Sequence, residues 1–70
     1  MTKAEYLVFE RQNNWWVLVD GQRTGPYVSR QVAIDSATAA AKVSFKGGRE
    51  ARVSVQNNND MVTAYDSTSN

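Results

Sequence analysis

The titratable side chains that could catalyse a reaction are dispersed along this 70-residue chain. The carboxylates are Glu5, Glu10, Asp20, Asp35, Glu50, Asp60 and Asp66. No two of them have the spacing of a catalytic pair, and the chain contains no histidine or cysteine. The serines therefore lack an activating imidazole, and the thiolate and imidazole ligands of common metal sites are missing. We expect no enzymatic activity, no cofactor, no metal and no small-molecule substrate.

Apolar and aromatic side chains alternate near the start of the chain, and such side chains can bind a partner. Because successive strand residues point to opposite faces, the alternation separates two sets. The first set is Tyr6, Val8, Trp15, Val17 and Val19, and the second is Leu7, Phe9, Trp16 and Leu18. One helix covers only one face of a sheet, and the other face is normally polar. The second set breaks that rule and is the candidate interface of a homodimer or another protein contact, unless segment 22–28 or the tail covers it.

Basic residues close to these aromatic residues support an alternative function, the binding of single-stranded nucleic acid. Phe9 and Trp16 could stack on bases while cations meet phosphates. The candidate cations are Arg11, Arg23, Lys46, Arg49 and Arg52. Eight basic and seven acidic residues leave a net charge of only +1, which is weak for a nucleic-acid-binding domain. Self-association or docking to another protein, through the apolar set or the strand edges beside it, is therefore the preferred interpretation, and nucleic-acid binding is the alternative. Whether a dimer would exchange strands or pack face to face stays open.

Two hairpins and one helix must position these side chains. The predicted strands are residues 5–11, 15–19, 49–56 and 61–65, and the predicted helix is residues 30–45. The strand segments alternate or are rich in β-branched and aromatic residues. Segment 22–27 is expected to be an irregular connection, because Pro26 cannot donate a hydrogen bond to a central ladder. The sequence thus predicts an α+β fold of order ββαββ. Its four-stranded, mainly antiparallel sheet has one helix packed on one face, and its strand order stays open.

The helix is expected to begin after Ser29, whose hydroxyl can cap the first turn, and to end at Gly47-Gly48. Its predicted buried stripe is Ala33, Ile34, Ala37, Ala40, Ala41, Ser44 and Phe45. A stripe made mostly of alanine lets the helix approach the sheet closely, so the sheet must supply the large core side chains. We expect Trp15 to be the main one.

The length fits a single domain over residues 1–70, with an ordered core over about residues 4–66 and a disordered tail over 67–70. A domain this short buries only about 60% of the surface of its unfolded chain. Without cysteine or histidine it cannot add a disulfide or a common metal site, so association with a second chain is the obvious remaining means of stabilisation, although good packing alone suffices for some small domains. No apolar run approaches the ~20 residues that cross a bilayer, and no signal core is present. A cytoplasmic protein with no membrane partner is expected.

Four short motifs follow one another along the chain. They are Tyr6-Leu7-Val8, Trp15-Trp16-Val17 before Asp20-Gly21, Ala33-Ile34, and Val53-Ser54-Val55 followed by Val62. This pattern resembles the small bacterial and phage domain-of-unknown-function (DUF) family 2188. The resemblance covers about residues 5–66 and implies a ββαββ fold without implying an activity. Leu7 departs from it, since members commonly have histidine or another polar residue there, and Leu18 and Val19 replace residues that tend to be charged.

Overall fold

A computed structural model describes residues 3–57 and 59–67, which form five strands and one helix. The elements are β1 (Ala4–Arg11), β2 (Asn14–Val19), β3 (Gln22–Tyr27), α1 (Arg30–Lys46), β4 (Ala51–Asn57) and β5 (Asp60–Asp66). All five strands form one sheet in the order β3-β2-β1-β4-β5. β1 and β4 run parallel, and the other neighbouring strands are antiparallel. The α+β class and the order of the predicted elements are confirmed. The predicted four-stranded sheet is wrong, because the sheet has five strands and is mixed.

The additional strand, β3, is the segment that the sequence predicts to be an irregular connection. β3 pairs antiparallel with β2 at the edge of the sheet, where Pro26 needs no second ladder partner. The register shifts at Gly25-Pro26, opposite the segment of β2 between Trp15 and Val17. Gly25 has a φ of +127°, and a Cβ at this position would lie 3.0 Å from the Trp15 carbonyl oxygen. Glycine therefore permits a bulge that lets a poor strand sequence pair with the sheet.

Two-residue turns join β1 to β2 and β2 to β3. Gln12 and Asn13 in the first turn have φ values of 55° and 65°, and Asp20 and Gly21 in the second have 51° and 78°. Positive φ at both central residues is characteristic of the type I′ turn, whose backbone twist matches the twist of the two strands that it joins. Such tight turns fix the strand register, and the register decides which side chains share a face.

α1 is capped at both ends by the residues that the sequence selects. Ser29 Oγ accepts a hydrogen bond from the backbone N–H of Val32 at 3.2 Å, which satisfies a free donor of the first turn. At the other end, the N–H of Gly47 donates to the Val43 carbonyl at 3.1 Å. Gly48 follows with a φ of +96°, so the chain turns back toward β4 at this residue.

The face of α1 that packs against the sheet is made of alanine, as predicted. Its buried residues are Ala33, Ala37 and Ala41. Phe45 is the next residue at four-residue spacing but is 48% exposed, and Ala40 is also exposed. These two positions of the predicted stripe are therefore wrong. Each four-residue step rotates about 40° around the helix axis, so the stripe has turned away from the sheet by the last turn.

The core lies between α1 and the two central strands, β1 and β4. Its largest fully buried side chains are Val8, Val53 and Val55. Trp15 packs against the core but is only partly buried, so its predicted role as the main core side chain is wrong. Trp15 is the second residue of β2 and pairs with Glu10 near one end of the sheet. Valines therefore fill the narrow space beneath the alanine face of the helix.

The described chain continues one residue into the segment that the sequence assigns to a tail. The N–H of Ser67 donates to the Ala51 carbonyl at 2.9 Å, and Ser67 Oγ accepts from the Ala51 N–H at 2.9 Å. Ser67 is therefore held against the start of β4. Residues 68–70 of the predicted tail lie outside the described residues, as does Asn58 of the predicted turn.

Candidate protein-interaction surface

The sheet face opposite α1, here called the outer face, carries the four interface candidates. Cross-strand pairing places Leu7 beside Leu18 and Phe9 beside Trp16. Directly paired residues point to the same face and their side chains touch, so these four residues form one cluster, the apolar patch. The predicted separation of the two alternating sets is confirmed by this register.

Within the described residues, the apolar patch lies outside the core. Leu18 is 37% exposed and the other three side chains are half-buried, and none of the four packs against the core cluster. The sequence offers two elements that could cover the patch, segment 22–28 and the tail, and residues 68–70 of the tail lie outside the described residues. Residues 22–27 instead extend the sheet beside it as β3. One arginine of β3 lies against the patch.

That arginine is Arg23, which projects from β3 over the patch. Its guanidinium carbon lies 4.5 Å from the centre of the Trp16 ring, a cation–π distance. Arg23 pairs with Leu18 across the strands, so it stands on the outer face at the sheet edge. The indole N–H of Trp16 donates to the Arg11 carbonyl at 3.4 Å, which fixes the ring orientation. The apolar patch therefore has one flat aromatic side chain, held from two sides.

A cluster of charges occupies the corner of the outer face where β1 begins. Lys3 Nζ lies 3.1 Å from a carboxylate oxygen of Asp66, and Arg52 Nε lies 3.3 Å from the same group. Arg52 also reaches Glu5 at 3.5 Å. The side chain of Asp66 is only 15% exposed, whereas that of Glu5 is 68% exposed. Asp66 is thus enclosed by cations, and Glu5 keeps most of its carboxylate in solvent.

Three of the five basic candidates for nucleic-acid binding, Arg11, Arg23 and Arg52, lie on the outer face, and Lys46 and Arg49 are outside its strands. Arg23 stacks on the patch and Arg52 belongs to the charged corner. Arg49 pairs with Asp20 at 3.2 Å, at the end of the sheet where β1 begins. Arg11 lies at the opposite end, and Lys46 is in the last turn of α1 on the other side of the sheet. Only Arg11 and Arg23 adjoin the apolar patch.

A cleft of about 190 Å³ lies on the helix side of the sheet, between α1 and the β2–β3 hairpin. Its wall carries three hydroxyl groups that the sequence analysis missed: Ser36 Oγ lies 3.2 Å and Thr24 Oγ1 3.3 Å from the Tyr27 phenol oxygen. The hydrogen bond to Ser36, followed by that to Thr24, lowers the pKa of Tyr27, and burial opposes the shift. Thr24 and Tyr27 are three residues apart, and the regular two-residue period of a strand would put them on opposite faces. The bulge in β3 places both on the helix side, so the sequence pattern does not predict the cluster. The cluster ties the edge strand to the helix.

Comparison with known proteins gives no relative from which a role for this surface could be transferred. No protein-family model matches the chain, and no curated protein or solved structure matches it. Within the part of the chain that the structure describes, α1 lacks the length and apolar character needed to cross a membrane. The outer face must therefore be interpreted from its own geometry.

Proposed function

We propose that this chain is a non-enzymatic self-association module that uses the outer face as its contact surface. The observation that supports the proposal is the apolar patch on the face that no helix covers. An exposed apolar patch on a small domain is a frequent mark of a protein contact. Burying it would also add stability to a fold whose largest fully buried side chains are three valines.

Composition and rigidity support the same proposal. All four patch residues lie on strands held at both sides by neighbouring strands, because β1 and β2 are interior to the sheet. Aromatic anchors with restrained orientation lose little conformational entropy on binding and are common at the centre of interfaces. Trp16 is such an anchor, since Arg23 and the Arg11 carbonyl already restrain it.

Single-stranded nucleic-acid binding is the second candidate function, and the Arg23–Trp16 stack is the observation that favours it. A base could take the place of the guanidinium on the indole ring. We rank this function below self-association because two of its five candidate cations, Arg49 and Arg52, already pair with carboxylates. The resemblance to DUF family 2188 stays a hypothesis and favours neither function.

Light scattering after gel filtration tests the proposal with one substitution on the patch and one away from it. The unmodified chain at high micromolar concentration should have a mass above the 7.8 kDa of one chain. Trp16→Lys should return the mass to that of one chain, because it buries a charge in the contact. Val28→Lys is the matched control, since Val28 is 90% exposed and lies between β3 and α1. It should leave the mass unchanged.

Three results would count against the proposal or replace it. A single-chain mass for the unmodified protein at high concentration refutes self-association. If Trp16→Lys unfolds the chain, as circular dichroism would show, Leu18→Lys at the more exposed edge of the patch takes its place. If that variant also unfolds, the patch belongs to the fold and the proposal is wrong. Binding of a fluorescent single-stranded oligonucleotide that weakens steeply with salt would favour the second candidate instead.

A further inference from the structure

We propose that the outer face binds a second copy of this chain about a two-fold axis that lies midway between the two sheets and passes over β1 at Val8. The axis is perpendicular to β1 and parallel to the sheet, so the two sheets pack face to face. This inference rests on the proposed function and specifies its geometry. Sheets that pack in this way lie about 10 Å apart with strand directions within about 30° of each other.

The outward side chains of β1 are the feature that fits such an axis. In chain order they are Glu5, Leu7, Phe9 and Arg11, because β1 pairs with β2 without a bulge. The strand thus presents an acid at one end, two apolar residues in the middle and a base at the other end. Rotation about Val8 places Glu5 opposite the partner's Arg11, and the two-fold repeats this ion pair. The same rotation brings Leu7 against the partner's Phe9.

The neighbouring strand is compatible with the same axis. On the outer face of β2, Trp16 and Leu18 flank the level of Val8, because Val8 pairs with Val17. The axis therefore brings Trp16 against the partner's Leu18, an apolar contact. A two-fold axis parallel to the strands would not pair opposite charges of β1. Each end of β1 would then face the same end of the partner's sheet, so Glu5 would lie near the partner's Glu5 and Arg11 near the partner's Arg11. The charges on β1 itself favour the perpendicular axis, and the two cations and two carboxylates of the corner around Glu5 leave that corner with no net charge.

The area of the face explains why the charged ends of β1 must take part. A standard protein interface buries about 800 Å² on each partner, roughly one sixth of the 4854 Å² surface of this chain. Five strands about 4.8 Å apart and seven residues long give a face of only about 460 Å² in projection. A stable dimer therefore engages nearly the whole face and not the apolar patch alone. Residues at both ends of β1 are then inside or at the rim of the contact.

Both charged groups are available for a contact between chains. The Glu5 side chain is 68% exposed, and its ion pair with Arg52 is long at 3.5 Å. Arg11 is exposed, and no ion pair to it occurs among the described residues. Six residues of extended strand separate the two groups by about 20 Å. Glu5 and Arg11 of one chain therefore cannot meet each other, and a pairing between them requires a second chain.

Charge reversal with a mixing step tests the geometry by sedimentation equilibrium. Glu5→Arg makes both ends of β1 basic, and Arg11→Glu makes both ends acidic. Each variant alone should dissociate at least about tenfold more readily than the unmodified chain, because two attractive pairs become repulsive. An equimolar mixture of the two variants should recover association, since both contacts of the mixed dimer are then between opposite charges. The double variant should also recover it.

Glu10→Arg is the matched control, because it makes the same charge change on the same strand. Glu10 pairs with Trp15 on the helix side, so this variant should associate like the unmodified chain. Recovery in the mixture is the decisive result, since Glu5→Arg also removes the contact with Arg52. If the mixture stays dissociated while Trp16→Lys still abolishes association, the axis is wrong and the proposed function stands. If the unmodified chain does not associate, both are wrong.

Discussion

The location of the core between α1 and the central strands predicts a large difference between two identical substitutions. Val8→Ala removes two methyl groups from a side chain that is 0% exposed, whereas Val28→Ala removes them from one that is 90% exposed. At about 0.8 kcal/mol for each buried methylene-sized group, the transfer of Val8 accounts for about 1.6 kcal/mol. The cavity that remains beneath the alanine face of α1 raises the expected cost to about 2–3 kcal/mol.

Urea unfolding followed by tryptophan fluorescence measures this difference. A 70-residue domain has a free energy of unfolding of roughly 3.5–10 kcal/mol, so Val8→Ala should lower the unfolding midpoint by roughly 1–3 M. Val28→Ala should change the free energy by less than about 0.5 kcal/mol. All samples need one protein concentration, because association stabilises the folded state by mass action. Equal effects of the two substitutions would refute the assignment of the core.

Two further predictions concern the β2–β3 hairpin and the contact of β3 with α1. Gly25→Ala should lower the free energy of unfolding by about 1–3 kcal/mol, because alanine at a φ of +127° is strained and its Cβ would lie 3.0 Å from the Trp15 carbonyl oxygen. Unchanged stability in the same urea assay would show that the bulge is absent. Ser36→Ala should raise the pKa of Tyr27, as followed by NMR of ¹³C-labelled tyrosine rings. Because folding lowers the pKa of Tyr27, the free energy of unfolding should increase as the pH rises from this lowered pKa toward the usual value of 10. Ser36→Ala should make that increase in the free energy of unfolding smaller. An identical tyrosine titration in both proteins would contradict the role of the Ser36 hydrogen bond.

The elements with a clear period could be predicted from the sequence, and the additional strand could not. Strict alternation around Val53 and Val55 indicates a half-buried strand, and the Ser29 cap marks the start of the helix. β3 contains Gly25-Pro26 and lacks alternation, so no local signal identifies it as a strand. Its pairing is imposed by the tight turn at Asp20-Gly21 and by the free edge of β2. The sequence also does not determine the parallel contact of β1 with β4, because that contact depends on the path of the chain through α1.

The same division applies to the candidate surface. The grouping of Leu7 with Leu18 and of Phe9 with Trp16 follows from a two-residue period once a tight turn fixes the register. The positions of the cations do not follow from any period. Arg49 meets Asp20 only because the start of β4 lies near the end of β2, and these residues are 29 positions apart in the chain. A local basic stretch in the sequence is therefore a poor guide to a basic surface in this fold.

Solvent accessibility of the apolar patch, measured at low and high protein concentration, tests the central claim most directly. A soluble paramagnetic gadolinium chelate broadens the NMR signals of side chains that solvent can reach. Self-association through the outer face predicts that the Trp16 and Leu18 signals are broadened in dilute solution and protected at high concentration. Val28, which is 90% exposed in the connection between β3 and α1, should stay broadened at both concentrations. Equal broadening of Trp16 and Leu18 at both concentrations would contradict the account.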